Sequence, residues 1–235
     1  MATPAVIDAI DELRRGHVIL IYDADGREEE TDMVVASEFV TPAVIRTLRK
    51  DAGGLICTTA DAMIQKALGL PFLSELFLGM SEQFPIMRGL MPNDIPYDVK
   101  SAFGITINHR RTFTGITDDD RALTVKEFAE LSRRALTSED GWAKKEFGKN
   151  FRAPGHIHLL NTTERILETR FGHTELATAL VIMADLVPSA TVCEMMGDDG
   201  KATDKARARE YAKAHGLVFL EGSEIIAAWR ESRNR

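Results

Sequence analysis

The stretch Val18-Ile-Leu-Ile-Tyr-Asp-Ala-Asp-Gly-Arg-Glu-Glu-Glu-Thr-Asp32 joins an apolar run to a strongly acidic segment. The apolar run, residues 18–22, is typical of a buried strand. The segment that follows, residues 23–32, carries six carboxylates and a single arginine, Arg27. Because the loop after a buried strand is where α/β folds commonly bind ligands, this segment is a candidate binding site.

The acidic segment allows two interpretations. Carboxylates this close in sequence repel one another unless a cation neutralises them. A solvated acidic turn is the simpler interpretation. A site for Mg²⁺ or Mn²⁺ is the other, because Mg²⁺ typically takes one or two protein carboxylates and completes its shell with water and substrate oxygens. The segment by itself leaves both open.

Short apolar runs alternate with amphipathic helical patterns along the rest of the chain. The apolar runs predict strands at residues 18–22, 55–59, 103–108, 157–160, 191–195 and 218–220. Helix starts are indicated by Thr41-Pro42, by Asp61 and by a capping box at Thr124-Val-Lys-Glu127. This order predicts an α/β fold of the α+β type: a single three-layer domain over residues 1–235, with a mixed β-sheet and helices on both faces.

Composition narrows the class of protein. At 235 residues with 44% hydrophobic content, the chain can bury a sizeable core. A formal net charge of −7 argues against a nucleic-acid partner, which would need a clustered basic surface. No apolar stretch approaches the roughly 20 residues of a membrane span, and the start lacks a signal-peptide pattern. With Cys57 and Cys193 read as reduced thiols, these features predict a cytoplasmic protein without a membrane partner.

Two further sequence features concern the binding of ligands. Residues 74–96 form an irregular stretch containing Met and Pro, which predicts an insertion over a surface or cleft. The glycine-rich dinucleotide fingerprint and the P-loop are both absent from the sequence, so a nucleotide cofactor is not supported.

A second candidate segment, Arg170-Phe-Gly-His-Thr-Glu175, leads into an apolar helical run. Arg170 can grip a phosphate through its guanidinium fork. Gly172 permits close approach of the backbone to a ligand, and Thr174 lies where a helix begins, where free N–H groups favour an anion. His173 is then a candidate metal ligand. For a single histidine at a helix start, a cap or surface role is the usual interpretation, but this combination of residues favours ligand binding.

Two more places complete the candidate set. Arg152-Ala-Pro-Gly-His156 places a histidine after a Pro-Gly turn, and His158 shares its face if the strand is regular. Glu194 ends an apolar strand, where a carboxylate is either a buried, paired acid or a catalytic one. Both interpretations predict a perturbed pKa for Glu194.

Taken in order, these motifs resemble the 3,4-dihydroxy-2-butanone-4-phosphate synthase family. The motifs are Asp-x-Arg-Glu-x-Glu-x-Asp-Met, Arg-x-Pro-Gly-His, Arg-x-Gly-His-Thr-Glu and Cys-Glu-Met. Connecting segments at residues 51–57 and 113–121 match as well, and the resemblance extends from about Ala5 to about Ile226. Each motif is weak alone, but together and in register they form a specific signature.

The resemblance implies a lyase of riboflavin biosynthesis. Such an enzyme converts D-ribulose 5-phosphate to L-3,4-dihydroxy-2-butanone 4-phosphate and formate. It also implies a Mg²⁺-dependent (or Mn²⁺-dependent) homodimer with active sites near the subunit interface. A fused GTP cyclohydrolase II domain, which some relatives carry, is not expected in this sequence.

The resemblance also assigns roles to residues of the motifs. The metal ligands would be Glu28 and His173. The residues that would contact the substrate are Arg27, Glu28, Asp32, Arg170, Phe171, Gly172, His173, Thr174 and Glu194. Among these, Arg170 and Thr174 would face the phosphate. The residues that would act in catalysis are Asp32, His156 and Glu194.

These residue types suit the implied chemistry. Removing the C3 proton next to the ketone requires a base and stabilisation of the resulting enediolate. Loss of the C1 hydroxyl, a skeletal shift and release of C4 as formate require further proton transfers. Asp32, His156 and Glu194 could perform them, and the sequence does not assign each proton to one of the three.

One position departs from the family pattern. Glu29 stands where relatives usually have an uncharged or small residue, so the loop should depend more on a cation for its ordering.

Two rival functions stay open. The nearest rival is another divalent-metal-dependent sugar-phosphate isomerase or aldolase. A more distant rival is a non-catalytic acidic binding module. Cys57 matches a cysteine near the family's active site, but a small buried apolar role is equally compatible with its surroundings.

Overall fold

The apolar run of the opening stretch forms a strand, β1 (Ile19–Tyr22), whose four residues are all buried. The acidic segment is the loop that turns the chain into β2 (Thr31–Ala36), which pairs antiparallel with β1 and is also fully buried. Tyr22 is paired with Thr31 at the mouth of the hairpin, so the loop spans residues 23–30. The central hairpin therefore presents the acidic loop at one end of the sheet.

The computed structural model describes residues 3–92, 94–139 and 141–233. The remaining strands are β3 (Cys57–Ala60), β4 (Phe103–His109), β5 (Phe151–Asn161), β6 (Ala190–Glu194) and β7 (Phe219–Glu221). The helices are α1 (Pro4–Arg14), α2 (Pro42–Thr47), α3 (Ala62–Leu68), α4 (Leu73–Gly79), α5 (Ile86–Gly89), α6 (Asp118–Ala135), α7 (Trp142–Asn150), α8 (His173–Met183), α9 (Lys205–His215) and α10 (Gly222–Arg233). A 3₁₀ turn at Ser37–Phe39 and a π-helical turn at Leu48–Ala52 flank α2.

The strands form a mixed sheet in the order β4-β5-β3-β6-β2-β1-β7. β1 with β7 and β3 with β5 are parallel pairs, and the other neighbours are antiparallel. In the centre, β2 and β6 are in register from Asp32↔Glu194 to Ala36↔Ala190. This register places two carboxylates side by side at the end of the sheet next to the acidic loop.

Alternating side chains of the strands build a core on each face of the sheet. Leu20 and Met33 face a core shared with α2, α3, α6, α7 and α9. Ile21 and Val34 face the opposite core, shared with α1, α8 and α10. A side-chain period of two therefore divides each central strand between two helical layers. The predicted three-layer α/β domain with a mixed sheet is confirmed.

Several predicted elements agree with the structure within a few residues. Thr41 caps α2 and Asp61 caps α3, each accepting from a backbone N–H of the first turn, as predicted. The stretch at residues 74–96, predicted to be irregular, contains most of α4 and all of α5. That one domain extends over all of residues 1–235 stays a prediction, since both ends of that range lie outside the described residues.

The capping box predicted at Thr124 is wrong. α6 begins at Asp118 with Thr117 as its N-cap, and three aspartates occupy its first turn. Acidic residues favour that position because they interact with the positive end of the helix dipole. Thr124 lies inside the helix instead, where its Oγ1 donates to Asp120 O at 2.9 Å and accepts from the buried N–H of His109 at 3.0 Å.

Replacing Thr124 with valine should therefore destabilise the fold. Thr124→Val keeps the shape of the side chain but leaves the His109 N–H unpaired, which costs about 1–3 kcal/mol of unfolding free energy. Urea denaturation measures the change. Thr137→Val, an exposed position after α6, is the matched control and should stay within about 0.5 kcal/mol of wild type. Equal stability of the two variants would contradict the assigned hydrogen bond.

Candidate active site

The loop between β1 and β2 is organised around the buried carboxylate of Asp23. Oδ2 of Asp23 accepts from Nη1 of Arg27 at 3.1 Å and from the backbone N–H of Glu28 at 2.9 Å. Oδ1 accepts from the backbone N–H of Glu30 at 3.1 Å. Both oxygens are thus engaged in holding the loop backbone. Asp23 therefore fixes the position from which Glu28 and Glu30 project.

Two guanidinium groups lie side by side next to this loop. Nη1 of Arg170 donates to Oε2 of the fully buried Glu175 at 2.5 Å, and Glu175 also accepts from the backbone N–H of Thr163. Nη2 of Arg170 and Nη2 of Arg27 both contact Oδ2 of Asp98, at 2.9 and 2.6 Å. Glu175 thereby positions Arg170, and the two arginines share one anionic oxygen.

His173 is the first residue of α8 and connects this helix to the acidic loop. Nδ1 of its imidazole lies 3.3 Å from Oε2 of Glu28, and Nε2 lies 3.2 Å from the carbonyl oxygen of Ile21. Nε2 is also 3.7 Å from Oδ1 of Asp32. The N-cap of α8 is Gly172, which has no side chain to accept from the first-turn N–H groups. The positive end of α8 is thus directed at the same place as Arg170.

The ends of β2 and β6 supply two further carboxylates. Asp32 and Glu194 are register partners, and Oε2 of Glu194 accepts from the backbone N–H of Leu55 at 2.7 Å. A Cβ on Gly54 would lie 2.5 Å from that same Oε2, so glycine is required for the close approach. Oδ1 of Asp32 is buried and has no hydrogen-bond partner among the described residues. Such an atom is a natural contact for a ligand.

These groups line one cleft of about 450 Å³. The residues of its wall are Arg27, Glu28, Glu30, Asp32, Ile95, Pro96, Tyr97, Asp98, Lys100, Ser101, Ala102, Phe103, Leu160, Arg170, His173, Thr174, Val192 and Glu194. A larger depression of about 1060 Å³ lies elsewhere, beside Trp229. None of the predicted site residues lies on the wall of that depression.

Burial and close charges shift the pKa values in the cleft. Burial raises the pKa of Asp32 to about 8; the imidazole of His173 opposes this shift and Glu194 adds to it. Burial alone would lower the pKa of His173, but the carboxylates of Asp32 and Glu28 raise it to about 9. Burial would raise the pKa of Glu28, yet its hydrogen bond to His173 lowers it to about 2. The cluster of Asp32 and His173 therefore holds protons more tightly than the isolated groups would.

The donor set fits a hard divalent cation. Asp23, Glu28 and His173 each offer a ligand atom, and these atoms lie within 4.8 Å of one another. Both carboxylate oxygens of Asp23 already accept hydrogen bonds within the loop, so Glu28 and His173 are the better ligands. One or two carboxylates with a neighbouring imidazole and space for water or substrate oxygens suit Mg²⁺ or Mn²⁺. A cation here would replace the protons that now balance the carboxylates.

The structure brings most of the predicted site residues together. The predicted residues on the wall of the cleft are Arg27, Glu28, Asp32, Arg170, His173, Thr174 and Glu194. Gly172 lies against Arg27, since a Cβ on this glycine would be 2.5 Å from Nη2 of the arginine. Phe171 packs against the apolar core shared with α1, α8 and α10 instead of lining the cleft.

His156 lies outside the wall of this cleft. Its side chain is exposed, and Nδ1 lies 3.1 Å from Nδ2 of Asn108. His158, two residues along β5, is close enough to both His156 and Glu194 for their charges to influence its pKa, which burial lowers. His156 is thus connected to the cleft only through its strand neighbour His158. Its predicted catalytic role stays a prediction.

Sequence reasoning missed several residues of the site. Glu30 lies on the wall of the cleft, and burial with the nearby Glu28 raises its pKa. Asp23 and Glu30 both belong to the acidic segment, so the sequence shows that they are present there but does not show their separate roles. Asp98 and Glu175 had no such signal, because their importance depends on two arginines distant in sequence.

Cys57 is a buried thiol next to the site. It is 2% exposed, and burial raises its pKa well above the usual range. The charges of Glu194 and Asp32 contribute in the same direction. A thiol that stays protonated packs as a small apolar side chain.

Among the described residues no helix is both long and apolar enough to span a membrane. The cytoplasmic location expected from the sequence stays a prediction.

A cleft at a sheet end, with paired arginines beside a carboxylate–imidazole cluster, is typical of an enzyme acting on a small anionic substrate. Comparison with known proteins gives the particular family. A family model described as 3,4-dihydroxy-2-butanone 4-phosphate synthase matches residues 7–228. The chain belongs to this family of enzymes, whose role lies in riboflavin biosynthesis.

Relatives agree over nearly the full length. The 3,4-dihydroxy-2-butanone 4-phosphate synthase of Methanothermobacter thermautotrophicus is 45% identical over 97% of this chain and 96% of its own. That of Methanosarcina mazei is 44% identical over 94% and 89%. The solved synthase structure from Candida albicans has a TM-score of 0.72 at 25% identity, covering 97% of this chain and 98% of that one. A synthase structure in complex with two magnesium ions has a TM-score of 0.73 at 24% identity over 98% and 99%; at that identity it supports the fold alone.

The shifted pKa values predict a loss of stability at alkaline pH. His173 and Asp32 both have pKa values raised above those of the unfolded chain, so the native state binds more protons. Stability from His173 is fully present below about pH 6.5 and is lost as pH rises through about 9. In the presence of a chelator, the unfolding free energy should fall on the order of 2 kcal/mol between pH 6.5 and 9. Denaturation at several pH values measures this.

The variant His173→Gln provides the control for this pH dependence. It removes one of the two groups that titrate in the window and leaves Asp32, so its unfolding free energy should still fall between pH 6.5 and 9, but by less than that of wild type. An identical slope for both proteins would contradict the raised pKa of His173.

Proposed function

We propose that the protein converts D-ribulose 5-phosphate to L-3,4-dihydroxy-2-butanone 4-phosphate and formate. The observation that carries this proposal is the arrangement of the cleft: the Glu28–His173 pair and the carboxylates of Asp32 and Glu194 lie beside the two arginines. A phosphorylated sugar needs both halves, a cationic grip for its phosphate and acid–base groups for its carbons. Membership of the family supports the same reaction.

The phosphate of the substrate would bind at Arg170 and Thr174. Arg170 is held in place by the buried Glu175, so its guanidinium is preorganised. The N-terminus of α8 adds backbone N–H groups with no side-chain cap competing for them. Binding energy from the phosphate then positions the reacting carbons near Asp32 and Glu194.

Asp32 is the group best suited to exchange a proton with the substrate. Its pKa of about 8 lies near the working pH, and its Oδ1 has no hydrogen-bond partner among the described residues. Glu194 is oriented by the Leu55 N–H and the close backbone of Gly54. Its carboxylate would contact the reacting hydroxyls. Together the two groups can serve the several proton transfers that the rearrangement and loss of C4 require.

Glu28 and His173 would hold a divalent cation next to the sugar. Bound Mg²⁺ or Mn²⁺ would supply Lewis-acid stabilisation of the negative charge that develops when the proton beside the ketone is removed. Arg27 contacts Glu28 at 3.0 Å, and its Cζ lies 5.3 Å from the centroid of the Tyr97 ring, so its positive charge adjoins one of the two candidate metal ligands.

The first test is formate release from D-ribulose 5-phosphate. Purified protein with Mg²⁺ should release one formate for each substrate consumed, and excess chelator should abolish the reaction, because the carboxylate–imidazole pair needs the cation. Formate is measured enzymatically. Substrate consumption without formate would instead favour a metal-dependent sugar-phosphate isomerase or aldolase, and no consumption by folded, metal-loaded protein would revive the binding-module interpretation.

A neighbouring pair of glutamates gives a matched comparison. Glu28→Gln should reduce kcat/KM about 100-fold or more through loss of a metal ligand, in the range seen for lost electrostatic stabilisation. Glu29→Gln is the control: Glu29 is exposed, and its side chain accepts from the Gly26 N–H, which a glutamine can also do. Its activity should stay within about twofold of wild type. Equal losses in the two variants would contradict the assignment of Glu28.

His156 is proposed to act at the rim of the same site. His156→Asn should reduce kcat about 100-fold, the usual contribution of a proton-transferring group. The exposed His215→Asn serves as the control and should retain activity. An active His156→Asn variant would remove this residue from the mechanism.

The protein is proposed to be a homodimer with its active sites near the subunit interface. The face beside His156 supports this: Phe113 is 93% exposed and Ile116 51% exposed, on the loop that Asn108 joins to His156 through Thr114. Large apolar side chains exposed together next to a site are typical of a surface covered by another chain. A solution mass of about twice the 26.1 kDa of one chain is expected by light scattering.

A further inference from the structure

A carboxylate of the protein itself lies between the two arginines of the cleft. Oδ2 of Asp98 accepts from Nη2 of Arg27 at 2.6 Å and from Nη2 of Arg170 at 2.9 Å. The side chain of Asp98 is only 9% exposed. Guanidinium groups recognise carboxylates and phosphates through the same geometry. Asp98 thus holds the place where an anionic group of a ligand would bind.

The other guanidinium nitrogens in contact with protein have separate tasks. Nη1 of Arg27 contacts Asp23 and Glu28, and Nη1 of Arg170 contacts Glu175. The two Nη2 atoms take no part in these contacts, and Asp98 accepts from both.

The present arrangement leaves one buried donor unsatisfied. Nε of Arg170 has no hydrogen-bond partner among the described residues, although it is buried. Asp98 engages both arginines through a single oxygen. A phosphate monoester presents three terminal oxygens and can satisfy more donors at once than this carboxylate does. The pair of arginines is thus better matched to a phosphate than to Asp98.

The segment that carries Asp98 is weakly attached to the rest of the protein. Residues 94–102 form no helix or strand. Val99 is fully exposed and Tyr97 is 45% exposed. Lys100 pairs with Glu75 at 2.6 Å, but both side chains are on the surface, where such pairs contribute little. The segment is anchored at its end, where the carbonyl of the buried Ala102 accepts from the N–H of Asn161 at 2.7 Å. Moving Asp98 out of the cleft therefore disturbs mainly its own ion pairs and the contact of Tyr97 with Arg27.

We propose that Asp98 is a specificity-determining residue that the substrate's phosphate displaces from Arg27 and Arg170. This inference rests on the proposed role of Arg170 in binding phosphate. A phosphate carries a charge of about −1.5 to −2 near pH 7, so it gains more from the two arginines than the single negative charge it replaces. A neutral sugar, or one with a single negative charge, lacks this advantage. Asp98 thereby selects ligands that bear a dianionic group.

Calorimetry with inorganic phosphate tests the competition directly. In Asp98→Asn the competing charge is gone, so phosphate should bind roughly tenfold more tightly than to wild type, a lower bound for closely spaced charges in a cleft. Asp94→Asn is the matched control, because it removes one negative charge from an exposed position of the same segment. Its affinity for phosphate should equal that of wild type. Equal or weaker binding by Asp98→Asn would overturn the proposal.

Hydrogen–deuterium exchange of residues 94–102 distinguishes displacement from a merely electrostatic effect. Phosphate should increase exchange in this segment of the wild-type protein, because Asp98 leaves the arginines. Asp98→Asn should exchange rapidly without phosphate. If phosphate instead protects the segment, Asp98 stays with the ligand and the proposal is overturned. The wild-type measurement stands even if the variant fails to fold.

The two hypotheses fail in different ways. If wild type binds phosphate and Asp98→Asn binds it no more tightly, the selection by Asp98 is wrong and the proposed function is untouched. If neither wild type nor Asp98→Asn binds phosphate, the role of Arg170 in the proposed function fails, and the proposal for Asp98 fails with it.

Discussion

The buried carboxylate of Asp23 is the constraint on which the rest of the site depends. It folds the acidic loop by accepting from Arg27 and from the backbone of Glu28 and Glu30. Without it, a loop so rich in negative charge would have no reason to adopt one conformation. With it, Glu28 is directed toward His173 at the start of α8, and Arg27 lies between Glu28 and the N-cap residue Gly172. One acid is thus used as scaffold so that its neighbours can be used for chemistry.

The second organising feature is the central pair of strands. Because β2 and β6 are antiparallel and in register, the start of one lies beside the end of the other. Asp32 and Glu194, 162 positions apart in sequence, become adjacent carboxylates. Burial there keeps a proton on Asp32, and the imidazole of His173 balances Glu28. The charges in this low-dielectric cleft therefore compensate one another, and the site keeps several groups that can give or take a proton.

Much of this could be predicted from sequence, for identifiable reasons. Six strands were predicted because apolar runs are a local signal, but β2 was not, because its first residues belong to the acidic segment. Most predicted site residues lie together because the family motifs encode their chemistry. The start of α6 was misplaced because Thr117 and Thr124 offer similar local patterns and only tertiary contacts decide between them. Asp98 and Glu175 were missed because their roles exist only relative to arginines distant in sequence. Local chemistry was visible in the sequence, whereas the partnership between distant charges was not.

The close approach of Gly54 to Glu194 limits which residues can occupy position 54. The N–H of Gly54 donates to the backbone carbonyl of Glu194 at 3.0 Å, and the N–H of Leu55 donates to its carboxylate at 2.7 Å. A larger residue at position 54 would displace the carboxylate of Glu194, even though position 54 itself carries no functional group. The turn after the π-helix thereby accepts glycine alone at this position. The site therefore depends on the missing side chain of Gly54 as well as on its functional groups.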